Sequence, residues 1–394
     1  MRFSSRQETL LAMLKAVRTV AGKARTIPAL SGVLLRVQVD GTLEMAGTDG
    51  QTGVRVLSLP DVGEKETGAI VLAAPIFGDL IAALGPGFVE GQVTADAPST
   101  LELNYMAGRG KAHLAAFWND AEGIDAYQTS APVEWRGTWM VAAPAFKRAL
   151  GQVEYACNPS LGNALSGVRF VLANDEMRLV GADNFRIAMR TLPVTIPAAG
   201  ISEAAFTVPA PTIAAARRVL AGKGDVTISL FADGETPKIQ ITGDGEADLR
   251  VEVTARLVTE EYPNWQRFFS LPLMQPYCLV AVADLIAALK RIDKVTPKGG
   301  TVRFEWPSAD GGLKLSGGED STGSCEIVVD AVTEDQATIP LGVQLLLEFL
   351  GTVESEHVSI GLVDGGGMTL ARICATQLHQ GEHIYMLALR HVPE

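Results

Sequence analysis

The sequence predicts an α+β chain made of three tandem repeats, each running helix, strands, helix, strands. Three observations predict it. Segments starting at Ser31 (SGVLLRVQVDGTLEMAGTDGQTGVRV), Ser166 (SGVRFVLANDEMRLVGADNFRIAMRT) and Gly300 (GTVRFEWPSADGGLKLSGGED) resemble one another, 135 and 134 residues apart. Each alternates apolar and polar residues, turns at a polar Asp-Gly or Asn-Asp pair, and alternates again, the pattern of short paired strands. A second element recurs at the same interval: VLAAPIFGDLIAAL at Val71, TVPAPTIAAARRVL at Thr207 and TIPLGVQLLLEFL at Thr338. Each reads as a strand, a proline that marks a helix start, and a helix with apolar i, i+3, i+4 spacing. A third element, a helix, precedes each strand segment: ETLLAMLKAVRTVA, APAFKRALGQVEYAC and VADLIAALKRIDKV. Fixed-period self-similarity of this kind marks repeat architectures. The boundaries fall at 1–130, 131–256 and 257–394, with Pro132 and the run GDGEADLR at the joints.

Composition fits this class. Of 394 residues, 47% are hydrophobic and 20% charged, a globular balance that excludes disorder. No apolar run reaches the roughly 20 residues that span a bilayer. Lys15 and Arg18 interrupt the N-terminal apolar stretch, which reads as an amphipathic helix rather than a signal peptide. Cys157, Cys278, Cys325 and Cys374 are scattered without CxxC spacing. That argues against a disulfide framework or zinc site and fits a reducing cytoplasm.

A net charge of -12 argues against a nucleic-acid binder, but the placement of the bases matters more than the sum. The first helix of each repeat sets apolar residues on one face: Leu10, Leu14 and Val17; Phe146, Leu150 and Val153; Leu285, Leu289 and Ile292. The other face is basic: Lys15 and Arg18; Lys147 and Arg148; Lys290, Arg291 and Lys294. The second helix of the middle repeat adds Arg217 and Arg218, and Arg25 follows the first helix. Acids concentrate in strands and loops. One reading is ordinary solvated helix faces. The other is a surface that neutralises phosphates without reading bases. A 130-residue body is about 36 Å across. Three in a closed ring leave a hole of about 6 Å, and six leave about 36 Å. A duplex is about 20 Å wide, so a head-to-tail homodimer could surround it.

These residues resemble the bacterial DNA polymerase III β subunit family, the sliding clamps, over nearly the whole chain. RTIPALSGVLLRVQVDGTLEMAGTD (25–49) is similar to the family's first-domain block. MRLVGADNFRIAM (177–189) is similar to its L-x-x-V-A-T-D-G-H-R-L-A block, and VTARLVTEEYPNWQRFFSLP (253–272) to its S-[RK]-L-[VI]-x-G-x-[FY]-P-[DN]-Y block. YMLALRHV (385–392) stands where the family ends. The resemblance implies the DNA-clamp fold, a ring-shaped homodimer around duplex DNA, no catalysis and no cofactor. It also implies a pocket that takes short linear peptides of DNA polymerase and clamp-loader subunits. Carried over, that pocket comprises Leu165, Ala182, Asn184, Phe185, Arg186, Ile187, Pro263, Arg267, Phe268, Met368, Tyr385, Leu387, Leu389 and Arg390. A mostly apolar groove with a few polar groups suits such a peptide.

Two departures fall in that pocket. Ala182-Asp183-Asn184-Phe185-Arg186 replaces the family's usual Thr-Asp-Gly-His-Arg, and Leu387-Ala388-Leu389-Arg390 its Met-Pro-Met-Arg. They suggest a divergent clamp, with an accessory, plasmid or phage copy of altered partner preference as the alternative. An enzyme on a duplicated α+β scaffold is a further alternative, but no Gly-x-Ser-x-Gly, HExxH or nucleophile beside a base is present. His379 and His383 lack a third metal ligand nearby and read as loop residues. Gly365-Gly366-Gly367 reads as a hairpin turn. Asp49, Asp183 and Asp320 recur at equivalent places and read as turn carboxylates.

Overall fold

A computed structural model describes residues 1–21, 28–58, 66–117, 124, 127, 134–173, 175–197, 201–308, 311–319, 323–365, 369–375 and 383–389. The first repeat runs β1 (Arg2–Arg6), α1 (Gln7–Val17), β2 (Gly32–Val37), β3 (Leu43–Thr48), β4 (Thr52–Ser58), β5 (Gly68–Ala73), α2 (Ala74–Ala83), β6 (Phe88–Gln92), β7 (Thr100–Tyr105) and β8 (Gly110–Ala115). The second runs β9 (Glu134–Ala142), α3 (Ala143–Glu154), β10 (Gly167–Ala173), β11 (Glu176–Ala182), β12 (Arg186–Pro193), β13 (Ala204–Pro209), α4 (Ala210–Val219), β14 (Asp225–Asp233), β15 (Thr236–Asp244) and β16 (Arg250–Arg256). A one-turn helix, α5 (Gln266–Phe269), leads into the third. That repeat runs β17 (Leu273–Ala281), α6 (Val282–Ile292), β18 (Thr301–Trp306), β19 (Leu313–Glu319), β20 (Gly323–Val329), β21 (Ala331–Glu334), β22 (Ala337–Gly342), α7 (Val343–Leu350), β23 (His357–Asp364), β24 (Thr369–Cys374) and β25 (His383–Ala388).

The mixed helix-and-strand repeat is therefore present, with one addition. Each repeat opens on a strand (β1, β9, β17) ahead of its first helix. In β1, Phe3 and Ser5 are buried between exposed Arg2 and Arg6 neighbours, the alternation of a half-buried strand. The prolines also differ in role. Pro75 and Pro211 stand in the first turns of α2 and α4, but Pro340 lies in β22, an edge strand, where no ladder hydrogen bond is lost.

The first helices bury the faces that their periodicity predicts. Leu10, Met13, Leu14 and Val17 of α1 are buried, as are Leu285, Ala288, Leu289 and Ile292 of α6. Each first helix then meets a glycine. A Cβ at Gly47 would lie 2.8 Å from the Val17 carbonyl oxygen, and one at Gly181 would overlap that of Val153. A Cβ at Gly317 would lie 2.5 Å from Ile292 Cγ2. The glycines mark the same close approach of helix to strand in all three repeats.

Strand order is the same in each repeat. Four strands form one half-sheet (β5-β2-β3-β4, β13-β10-β11-β12, β22-β18-β19-β20) and the remainder another (β1-β6-β7-β8, β9-β14-β15-β16, β17-β23-β24-β25). Half-sheets fuse across repeat boundaries. Antiparallel pairing of β4 with β16 makes an eight-stranded sheet, and pairing of β12 with β25, with β21 added at the edge, makes a nine-stranded one. Contacts accordingly group the chain as two units. One is Met1–Lys147, Pro193–Ala204 and Pro211–Val258; the other is Arg148–Leu192, Ala205–Ala210 and Thr259–Glu394. The middle repeat is shared between them because each of its half-sheets joins a different neighbour.

Candidate functional site

The basic faces come first. Lys15, Arg18, Arg148, Arg218, Lys290, Arg291 and Lys294 are exposed, each on its helix's face away from the buried stripe or just past its end. Lys147 and Arg217 are half-buried. Not all these cations are equally available. Lys147 Nζ donates to the Leu220 carbonyl at 2.8 Å, just past the C-terminus of α4, where a cation complements the helix dipole. Arg148 pairs with Glu354 at 2.8 Å, and Arg18 lies 3.9 Å from Asp79. Arg25 lies outside the described residues.

The pocket residues expected in the second unit fall into three groups. Tyr385 and Leu387 are core residues. The Tyr385 ring is stacked on Phe349 at 4.6 Å and its hydroxyl donates to the Leu345 carbonyl. Leu387 stands opposite Arg186 in the β12–β25 ladder. These two back the site rather than line it. A second group makes an apolar strip. Ala182 packs in a cluster with Ala164, Val180, Met189, Tyr262 and Trp265, flanked by half-buried Leu165, Ile187 and Phe269. Ile187 and Phe269 also flank a second cluster of Val363, Leu370 and Met386, beside Phe268 and Ala388. The strip is thus continuous through Ile187 and Phe269. The third group is its exposed rim: Asn184, Phe185 (55% exposed), Pro263 and Arg267, with half-buried Leu389 just past β25. The Arg267 guanidinium lies over the Phe268 ring at 4.5 Å, a cation–π arrangement. Met368 and Arg390 lie outside the described residues.

Arg186 holds this corner together. It is 8% exposed, with Nε donating to Asp183 at 3.0 Å and a terminal nitrogen donating to the Tyr155 carbonyl at 2.7 Å. Its other terminal nitrogen donates to Glu348 of α7. Burial alone lowers its pKa, yet Glu348, Tyr385 and Asp183 raise it on balance, so the guanidinium stays charged. Asp183 Oδ1 accepts the amides of Phe185 and Arg186, which fixes the turn and presents Phe185 outward. Asp49 does the same for Gln51 and Thr52, so both carboxylates serve turns; Asp320 lies outside the described residues.

Sequence reasoning passed over Tyr262, Trp265, Phe269 and Glu348. Trp265 and Phe269 are four residues apart and meet edge to face at 5.6 Å across α5. That i, i+4 aromatic spacing was the available signal.

No group of three or more His, Cys, Asp or Glu able to hold a metal occurs among the described residues. His383 is no loop residue. It opens β25, buried, with Nε2 3.3 Å from the Gln152 carbonyl, and burial, then Arg190, pushes its pKa down to about 4. His379 lies outside the described residues. Burial pushes the Cys157 and Cys278 thiols up to about 12 and Cys374 to about 11, the reverse of what a nucleophile needs. Among the described residues no helix is long and apolar enough to cross a membrane.

Repeated sheets, basic helix faces and an apolar strip define a binding scaffold. Comparison with known proteins makes this specific. Residues 1–104 match the N-terminal domain of the DNA polymerase III beta subunit, and residues 140–264 its central domain. The chain is 25% identical over 379 residues to the beta sliding clamp of Proteus mirabilis, covering 92% of this chain and 94% of that one. It is 26% identical over 379 residues to that of Escherichia coli K12, covering 92% and 93%. A sliding clamp of Pseudomonas aeruginosa bound to griselimycin superposes with a TM-score of 0.84 at 22% identity, covering all of both chains. The chain belongs to the DNA polymerase III beta subunit family, as a divergent member. It is a sliding clamp and not an enzyme.

Proposed function

We propose that two copies of this chain close a ring of six clamp domains, 1–130, 131–256 and 257–394 from each, around duplex DNA. The observation that supports this is the strand arithmetic. In each fused sheet the outer strand of one repeat's first half-sheet pairs with the last strand of the next repeat: β4 with β16, β12 with β25. The same rule leaves β20 and β8 as edges, in two separate four-stranded sheets. Pairing β20 of one copy with β8 of another makes a third eight-stranded sheet and removes both exposed edges. Exposed Val328 and half-buried Ile327 on β20, and half-buried Leu114 on β8, supply apolar surface for that contact.

Lys15, Arg18, Arg217, Arg218, Lys290, Arg291 and Lys294 then face the duplex and neutralise phosphates without reading sequence. The strip along Leu165, Ile187, Phe268 and Leu389, rimmed by Phe185 and Arg267, takes a short hydrophobic peptide of a polymerase or clamp-loader subunit. Size-exclusion chromatography with light scattering tests the ring. The expected mass is twice 41.7 kDa, falling to a monomer in an Ile327→Asp variant with unchanged circular dichroism. A monomeric parent chain contradicts the reading.

A further inference from the structure

The β12–β25 seam has a counterpart at the β4–β16 seam, built alike but with different chemistry. The turns match: Asp49 Oδ1 accepts the amides of Gln51 and Thr52 at 2.9 and 2.7 Å, as Asp183 Oδ1 accepts those of Phe185 and Arg186 at 2.7 and 3.0 Å. The registers match: Thr52 stands opposite Ala255, as Arg186 stands opposite Leu387. The wall matches too. Tyr127 packs on Leu30, Leu34, Ala46 and Val71, as Tyr262 packs on Ala164, Val180 and Ala182.

Where one seam carries Ile187, Ala388 and Phe268, the other carries Gly53, Arg55, Lys238 and Arg256 around a cavity of about 130 Å³. A Cβ at Gly53 would meet nothing nearer than the Thr254 carbonyl at 3.9 Å, so the floor is open backbone. Arg55 is already balanced by Glu44 at 3.0 Å and Glu252 at 3.1 Å. Lys238 and Arg256 stand directly opposite each other on β15 and β16, two cations on one side of the cavity. Among the described residues no carboxylate lines the cavity and Arg256 makes no ion pair. An anion seated between these two cations would receive charge-assisted hydrogen bonds from both strands. Ala46 and Tyr127 add apolar surface and Thr48, Gln51 and Thr254 add hydrogen-bonding groups, a mixed lining that suits the end of a peptide better than an inorganic anion.

The cavity does not face the basic side of α1. In β4, Val54 and Val56 are buried on the face against which α1 packs, and Gly53 and Arg55 point to the opposite face. Lys15 and Arg18 therefore lie across the sheet from it.

We propose that the β4–β16 cavity is a second docking site, taking the acidic C-terminal end of a partner peptide with its carboxylate between Lys238 and Arg256. It does not depend on the apolar strip at β12–β25. The test is isothermal titration of the full-length protein with the hexapeptide acetyl-Gly-Asp-Glu-Asp-Glu-Ala. Saturable binding is expected, weakened at least about tenfold in Lys238→Glu and in Arg256→Gln, since charged hydrogen bonds of this kind are each worth about a decade. C-terminal amidation of the peptide should weaken it comparably, and Leu389→Asp should leave it unchanged. Thermal melting checks that the variants fold, and the milder Arg256→Gln carries the test if Lys238→Glu does not. No saturable binding to the parent protein overturns the proposal. So does binding untouched by either variant, or displacement of the peptide by an equimolar 20-base-pair duplex.

Discussion

His383 is buried against the Phe349 ring at 5.1 Å with its pKa pushed down to about 4 from 6.5. The fold favours the neutral imidazole. Its contribution is therefore present above about pH 6.5 and is lost as the pH falls from there towards 4. The shift corresponds to about 3 kcal/mol. Urea unfolding of a His383→Gln variant should lose about that much less stability between pH 7 and pH 4 than the parent. An unchanged difference would remove His383 from the account. Phe185 is the opposite case: exposed, on a turn fixed by Asp183, with little core to lose. Phe185→Ala should leave stability within about 0.5 kcal/mol. It should weaken a bound hydrophobic peptide several-fold in a fluorescence titration, by removing apolar contact area. Equal affinity of the two proteins would displace the peptide from this rim.

Among the elements, the first helices were the most legible in the sequence, because a 3.6-residue period names the buried face directly. Leu10, Leu14, Leu285 and Leu289 are buried as their spacing requires. The opening strands were not legible: RFSSR is five residues long and runs straight into a helix, so its alternation is too brief to separate. Nor was the floor of the apolar strip. Tyr262 sits in a proline-containing linker with no period, where only tertiary packing buries it, and Trp265 offers no more than its i, i+4 spacing to Phe269. The same limit applies to the bases. Helical spacing shows that Lys147 and Arg148 face outward, but their partners Leu220 and Glu354 lie 73 and 206 residues away. This yields a ranking among helices. In filter binding to nicked circular DNA, Arg218→Ala and Lys290→Ala should each reduce the salt slope of log K by about 0.9, one phosphate contact apiece. Arg148→Ala should change it less, because Glu354 already neutralises that guanidinium. An Arg148→Ala effect as large as the others contradicts the assignment.

For the whole molecule, one construction rule repeats. A strand, a helix, three strands, and then a strand, a helix and three strands give two half-sheets, and four of the six half-sheets are completed by a neighbouring repeat. Such units do not bury their edges alone, and the chain ends with two half-sheets still to be completed. The function proposed on this basis is topological: a closed ring of two copies would hold DNA by surrounding it rather than by affinity for any sequence. The most direct measurement is retention on a circular plasmid, loaded with the protein and then cut once by a restriction enzyme. The account predicts that protein stays with the closed circle through gel filtration at high salt and is lost within minutes of cutting. Equal retention on circle and linear DNA would contradict it.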